Sequence, residues 1–383
     1  MNVAISSQQL PQLALTESDT AGLQRGDVRT TIIPADQWDQ LALRFVDVVH
    51  EQTQCFNGGR WSEDQIERLA FWQDDELAAA AVLRKMSVPG TGVRITVLRW
   101  GPLWRPTGRP VRVETLAEVY DSLAQRYAAD SRDFLLLMSR TDPAANDDAP
   151  NALSARGYEP LVGPGSKPRY FVDVSLDPDT LRASLAQKWR YNLKKSEKNG
   201  LEIEILEGEA AFQRFRAMHQ AMVQRKGIHE TGPIDTLADI LAAPQDELRP
   251  LVFIVSHQGE AVAGAVVDTS GEQANYLYGA TTDRALPLKA GYFMQWKIVE
   301  HLSALPQSQW YGLGGGSSAT CSLHQFKRGL VGKAGLTIDE PDAFYRAGST
   351  YAALIGVAVT RVRWWQVTAH NEIQKRISSL RYG

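Results

Sequence analysis

Apolar residues along this chain follow two recurring patterns, short β-branched alternations and longer stretches at helical spacing, and the order of the two gives the architecture. Val28 to Ile33 (VRTTII) reads as a strand. Beyond Pro34, Asp36 is placed to cap a helix carrying Trp38, Leu41, Leu43, Phe45 and Val48. Apolar runs at Arg68–Trp72, Leu77–Leu83 and Arg94–Trp100 come next with no helix between them, as in an antiparallel meander ending at Gly101-Pro102. Helical spacing returns from Val113 to Ala128, followed by a strand at Phe134–Met138 and a helix holding Ala152 to Arg156.

The second half repeats that order. LEIEIL, Leu201 to Leu206, alternates like a strand, and Phe212, Phe215, Met218, His219 and Met222 follow at helical spacing. Strands are expected at Leu251–Val255, Ala261–Val267 and Gln273–Gly279, then a helix at Gly291–Leu302 and a strand at Trp310–Leu313. Successive central strands without intervening helices disfavour a doubly wound sheet. The expectation is an α/β (α+β) chain of two similar domains, each a mixed, mostly antiparallel sheet flanked by helices. The boundaries read 1–27 for a polar, disordered arm, 28–177 for the first domain, 178–200 for a basic connecting helix, 201–341 for the second domain and 342–383 for a long C-terminal helix.

The connector is LRASLAQKWRYNLKKSEKNG, Leu181 to Gly200, with a helix start at Asp179 or Thr180 and a stop at Gly200. It carries Arg182, Lys188, Arg190, Lys194, Lys195 and Lys198 against one acid, Glu197. Cations at such spacing either converge on phosphates or form a solvated face. The C-terminal run holds Trp364-Trp365 and five cations against Glu372, which suits either packing across the second domain or peripheral contact with the inner membrane leaflet.

Composition narrows the class. With 383 residues, 44% hydrophobic and 22% charged, the chain suits two globular domains. A formal charge of -3 gives no global pull on a polyanion, so any phosphate must meet a local basic patch. Cys55 and Cys321 form no metal or disulfide pattern, and no metal site is expected. The N-terminus lacks a signal-like run and no stretch is apolar enough for a membrane helix, so a cytoplasmic location is expected.

Lys327, after Phe326 and just past the Gly314-Gly315-Gly316 strand end, could present its ammonium to a phosphate or a developing oxyanion, or merely cover Phe326. Tyr276 and Tyr278 alternate on one strand face, where a phenol could bind an acceptor or donate a proton. Seven scattered histidines form no nucleophile motif.

The stretch Lys188-Trp189-Arg190-Tyr191-Asn192-Leu193-Lys194-Lys195-Ser196, leading to Gly200-Leu201-Glu202-Ile203, resembles the K-x-R-x-N-[IL]-x-K-[AS] signature of FemAB-type aminoacyltransferases, members of the GNAT superfamily. Gln224-Arg225-Lys226-Gly227, Trp310-Tyr311-Gly312-Leu313-Gly314-Gly315 and Phe326-Lys327-Arg328-Gly329-Leu330-Val331-Gly332 are similar to further family motifs, and Trp100-Gly101-Pro102 stands where the family has R-G-P. Gly312 replaces the usual Asp, and Leu330 an aromatic. The resemblance implies tandem GNAT-like domains and an N-acyltransferase that forms an amide on a nucleotide- or lipid-linked precursor of peptidoglycan or another envelope polymer. Lys188, Arg190, Asn192, Lys194, Gly314, Gly315 and Phe326 would bind substrate, and Lys327 and Tyr278 would act at the reacting centre. No tightly bound cofactor is implied, and the donor is aminoacyl-tRNA or acyl-coenzyme A. Arg284 to Gly291 is a poor match to the coenzyme A loop Q/R-x-x-G-x-G/A. Two rivals remain: an acyl-coenzyme A-dependent N-acetyltransferase of polysaccharide or lipid assembly, as among CelD-like relatives, and a non-catalytic basic scaffold for RNA or a membrane surface.

Overall fold

A computed structural model describes residues 28–163, 168–226, 234, 237–315 and 322–382. The expected arm 1–27, and with it Gly227, His229, Gly316 and Cys321, lies outside the described residues. The first half runs β1 (Arg29–Ile32), α1 (Ala35–Ala42), α2 (Gln54–Asn57), β2 (Ile66–Gln73), β3 (Glu76–Ser87), β4 (Arg94–Arg99), α3 (Val113–Tyr127), β5 (Asp133–Met138), α4 (Asp148–Ala155), β6 (Glu159–Leu161) and β7 (Pro168–Asp173). The connector forms α5 (Pro178–Ser184) and α6 (Gln187–Ser196). Then come β8 (Leu201–Leu206), α7 (Gly208–Lys226), α8 (Leu237–Leu241), β9 (Leu251–His257), β10 (Glu260–Asp268), β11 (Gln273–Thr281), α9 (Ala285–Leu288), α10 (Ala290–Ser303), β12 (Trp310–Gly315), α11 (Ser322–Val331), β13 (Leu336–Asp339), β14 (Ala343–Ala347) and α12 (Thr350–Tyr382).

Two seven-stranded sheets result, ordered β1-β2-β3-β4-β5-β14-β6 and β13-β7-β12-β11-β10-β9-β8. Each contains the same five-strand unit, an antiparallel meander whose last neighbour joins in parallel, β4 with β5 and β11 with β12. The duplication is thus one of topology. The two sheets also exchange strands. β7 lies in the first half of the chain yet pairs with β12 and β13, while β14 follows the second half and inserts between β5 and β6. Strand pairing therefore crosses both expected boundaries, 177 and 341: β7 precedes the first but belongs to the second sheet, and 342–383 is a strand plus a helix.

Each sheet buries alternate residues into its own core. Leu69, Phe71, Ala79, Ala81 and Leu83 pack beneath Leu116, Tyr120 and Leu123 of α3. On the second sheet α6, α10 and α11 cover one face through Trp189, Leu193, Trp296, Ile298 and Leu330, and α7 and α8 cover the other through Phe212, Phe215 and Leu237. Helix α12 lies on β5 with Gly356 over the Phe134 ring, where a Cβ would fall 2.2 Å from Cγ. That close approach accounts for a glycine inside a helix, which otherwise costs about 1 kcal/mol relative to alanine.

The connector is two helices, not the single helix expected. Asp177 caps α5, its carboxylate accepting from Thr180 N at 2.9 Å, with Pro178 at the first helical position. The helix then stops at Leu185, which is extended at ψ 148. Backbone groups that would continue it bond to the end of α11 instead: Ala186 N to Gly329 O at 3.1 Å, and Lys333 N to Ser184 O at 3.0 Å.

Between the halves an apolar contact, in which Ala243 and Leu248 join the cluster around Trp38 and Phe45, is accompanied by a buried polar one. Arg105 pairs with Asp142 at 2.7 Å and with Glu272 of the second half, and Arg140 pairs with Asp142 at 2.9 Å. Glu272 N donates to Val46 O at 2.8 Å, and His50 meets Asp268 at 3.3 Å.

Candidate functional site

Strands β4 and β5 stay paired over their whole length, from Arg94↔Asp133 to Arg99↔Met138. Their counterparts part early: β11 and β12 pair only at Gln273↔Trp310, Ala274↔Tyr311 and Asn275↔Gly312. Two irregularities hold the gap open. β11 bulges at Leu277, since Val266 faces Tyr278 and Val267 faces Tyr276. β12 carries an extra residue against β7 between Gly312 and Gly315, and Gly314 there has φ +74, a conformation glycine adopts without strain.

A small, open cleft of about 20 Å³ lies at the parting. Trp100, Arg140 and Thr141 line it from the first half, and Arg169, Phe171, Gln273, Asn275, Gly312 and Gly314 from the second sheet. A second hollow in the first half shares Trp100 and Arg140 with it. Three buried polar atoms of the lining have no hydrogen-bond partner: Thr141 Oγ1, Arg169 Nε and Gln273 Oε1. A buried unpaired polar group costs about 1–3 kcal/mol, so these three atoms call for an ordered water or a ligand group within hydrogen-bond reach. Trp100 adds an aromatic wall. It is held at φ 57, unusual for a bulky residue, with the Arg169 guanidinium 5.0 Å from its ring centroid.

The cations here are partnered. Arg140 Nη1 donates to Asp47 O at 3.2 Å besides its pair with Asp142, and Arg169 pairs with Glu340 at 2.9 Å. Burial raises the Asp47 carboxyl above its ordinary range despite Arg140 and Arg105. Burial acts on Asp142 too, yet Arg140 and Arg105 hold that carboxyl below its usual value.

Lys327 reaches the parting from α11. Its ammonium donates to Gly315 O at 2.7 Å and lies 5.8 Å from the Tyr170 ring centroid. A Cβ at Gly314 would be 3.9 Å from it, so Nζ stands at the cleft rim. Phe326 locks α11 in place through its ring contacts with Trp189 of α6, at 5.8 Å, and Tyr292 of α10, at 4.9 Å. Gly329 lets this cluster close, since a Cβ there would lie 2.9 Å from Trp189 Cδ1.

The other sequence candidates take varied positions. Asn192 is buried, donates to Lys188 O at 2.9 Å and hydrogen-bonds Tyr292, a linking position inside the helical layer. Arg190 spends its guanidinium on Ala183 O and Leu185 O, both at 2.6 Å, closing the end of α5. Lys188 and Lys194 are exposed on α6 and do not line the cleft. Tyr276 and Tyr278 do not share a face: the bulge sends Tyr276 into the core under α10 and Tyr278 into the cluster under α7, on the cleft side. Burial pushes the Tyr276 phenol up to about 12. Tyr278 stands edge-on to His219, at 6.1 Å. Gly312 leaves room for an amide: a Cβ there would meet Asn275 Oδ1 at 3.0 Å, so Asn275 fills the space of a side chain at 312.

Sequence reasoning missed Arg140, Thr141, Arg169, Gln273 and Asn275 as site residues. Arg140 and Thr141 follow β5, Arg169 lies on β7 and Gln273 and Asn275 on β11, and the strand exchange brings these pieces together. Of the lining, Trp100, Gly312 and Gly314 carried a signal, through their motif matches.

Residues 183–328 match the acetyltransferase (GNAT) domain family. Among solved structures the chain is similar to FemX, with 15% identity, 86% of this chain and 99% of that chain covered, and a TM-score of 0.67. It is less similar to the C-terminal domain of a putative lysylphosphatidylglycerol synthetase from Agrobacterium fabrum (11% identity, 75% and 85% covered, TM-score 0.47). A tandem GNAT protein from the clavulanic acid biosynthesis pathway gives 12% identity, 84% and 99% covered, and a TM-score of 0.43. No protein of curated function matches. The FemX likeness establishes the fold, and the family match places an acetyltransferase domain in the second half.

Proposed function

We propose that this chain is an acyltransferase of the two-domain FemABX-like kind within the GNAT superfamily, an N-acyltransferase that forms an amide on the amine of a nucleotide- or lipid-linked envelope precursor. The observation that carries the reading is the early parting of β11 from β12, with a cleft on one side and the Lys327 ammonium held on Gly315 O beside it.

The acceptor sits in the cleft against Trp100, with its polar groups answering Thr141, Arg169 and Gln273. Its neutral amine attacks the donor carbonyl carbon. A C–N bond forms, the bond to the leaving oxygen or sulfur breaks, and the amine proton departs to solvent or to the leaving group. Negative charge develops on the carbonyl oxygen, where a fixed ammonium stabilises the transition state more than the ground state. Lys327 is the group held for that task, its Nζ anchored by Gly315 O and its helix by Phe326. Gly314 and Gly315 keep the strand end slim enough for the donor. Tyr278, on the cleft-side face, is the phenol available to bind the acceptor or protonate the leaving group. Lys188 and Lys194, exposed on α6, suit phosphates of donor or acceptor. Arg190 and Asn192 act by holding the connector in shape.

The loop ahead of α10 bears on the donor. A coenzyme A pyrophosphate needs a run of free backbone amides at that helix start. Here Pro287 lies within α9 and has no N–H, and Lys289 takes φ 56 directly before α10. This supports aminoacyl-tRNA over acyl-coenzyme A. The test is transfer by the purified chain from a charged tRNA pool or from acyl-coenzyme A onto a panel of amine-bearing envelope precursors, read as product mass. Product from charged tRNA supports the reading; product from acyl-coenzyme A alone overturns the donor, and none from either overturns the function.

A further inference from the structure

Helix α12 has two unlike faces. Ala352, Gly356 and Thr360 are buried on the body of the protein, toward Phe134 of β5. Opposite them Leu354, Val362 and Trp365 are exposed at 67, 54 and 70%, with Ala358 between, while Tyr351 turns back to the body, donating to Thr91 O at 3.3 Å with the Arg132 guanidinium 4.7 Å from its ring centroid. At 100° per residue Leu354, Ala358, Val362 and Trp365 span only about 80°, centred away from the buried stripe. The two tryptophans separate accordingly: Trp364 packs near Gly163, where a Cβ would meet its ring at 3.7 Å, and Trp365 points outward.

Length and charge set this helix apart. Its 33 residues extend roughly 50 Å, well beyond the six-residue strand β5 on which it packs. No acid occurs from Thr350 to Gln366, and the whole helix carries Arg361, Arg363, Lys375, Arg376 and Arg381 against Glu372, in a chain whose net charge is -3. Among the described residues no helix is long and apolar enough to cross a membrane. An apolar stripe with an outward tryptophan, on a helix of concentrated positive charge, matches an anionic lipid surface in both respects. A second copy of the helix would match the stripe but oppose the charge.

We infer that α12 lies in the headgroup region of an anionic bilayer, burying Leu354, Val362 and Trp365 while Arg361, exposed beside that stripe, meets lipid phosphates. The inference concerns a helix on the first sheet, whereas Lys327 lies beside the second, and it stands or falls apart from the transfer reaction. The full-length protein is tested by co-sedimentation with vesicles of phosphatidylcholine alone and of phosphatidylcholine mixed with phosphatidylglycerol. Binding to the anionic vesicles at least about tenfold above neutral ones, falling with added salt, is expected. The double variant Leu354→Glu/Trp365→Glu should lose about tenfold in binding while keeping the wild-type circular dichroism and melting temperature. No binding to anionic vesicles, equal binding of the variant, or a dimer in sedimentation velocity that the variant converts to monomer overturns the inference.

Discussion

The guanidinium of Arg169, on the second sheet, rests 5.0 Å from the ring centroid of Trp100, in the loop after β4 of the first. Arg169 is on β7, the strand that the first half of the chain lends to the second sheet. The exchange therefore builds the cleft: it carries a first-half strand beneath the first-half loop that holds Trp100. Because β14 makes the reverse crossing, the halves are joined by backbone pairing as well as by side chains, and the cleft walls are held in a fixed relation.

The open polar atoms of the cleft should matter to the acceptor and not the donor. Thr141→Val and Gln273→Ala each remove one hydrogen bond to a bound ligand, a loss of about 1–1.5 kcal/mol, or about tenfold. The expected outcome in steady-state kinetics is an acceptor KM raised about tenfold by either variant, with donor KM unchanged. An unchanged acceptor KM in both would place the acceptor elsewhere.

Gly312 and Asn275 compete for one space. Gly312→Asp should drive the Asn275 amide out and break its 2.8 Å bond from Gln273 Nε2, lowering activity by about tenfold or more. Adding Asn275→Gly should recover part of that loss. A double variant no better than Gly312→Asp alone would show that the two side chains do not share the site.

Arg190 is expected to affect stability before chemistry. Its donors satisfy two carbonyls at the end of α5, and the residue is exposed, so Arg190→Met should cost about 1 kcal/mol in urea unfolding. At saturating substrate the folded variant should keep most of its kcat. A large fall in kcat at unchanged stability would return Arg190 to direct substrate contact.

The junction between the halves should be pH-sensitive. Burial disfavours the His50 imidazolium, but Glu51 and Asp268 outweigh it and raise its pKa above 6.5. Its stabilising contribution is complete below 6.5 and is lost as pH rises through the elevated folded value. Asp268 behaves oppositely: burial works against its charge, His50 and Ser270 prevail, and the pKa falls below 3.8. That contribution is present above 3.8 and disappears as pH drops through the depressed value. Thermal midpoints should decline on the alkaline side, and His50→Asn should flatten the decline. Identical slopes for wild type and variant above 6.5 would contradict this.

Both meanders, the helices after them and the duplicated order were legible because each depends on local periodicity. Gly314, Gly315, Phe326 and Lys327 were legible as a spaced motif. Strands β7 and β14 were not, since the partners of PRYFVD and AFYRA lie far away in sequence. The connector break at Leu185-Ala186 left no mark, because no glycine or proline makes it; bonds to α11 do. Tyr276 and Tyr278 were misread for a related reason: the residue between them is a bulge, and a bulge shifts side chains without changing composition.

Lys327 offers the most direct measurement. Substituting Lys327→Met keeps the aliphatic stem but removes the ammonium from the parting of β11 and β12. Single-turnover amide formation should slow by about 10²–10³-fold, with acceptor binding and melting temperature close to wild type. Transfer at the wild-type rate by the folded variant would contradict the assignment of the reacting centre to this cleft rim.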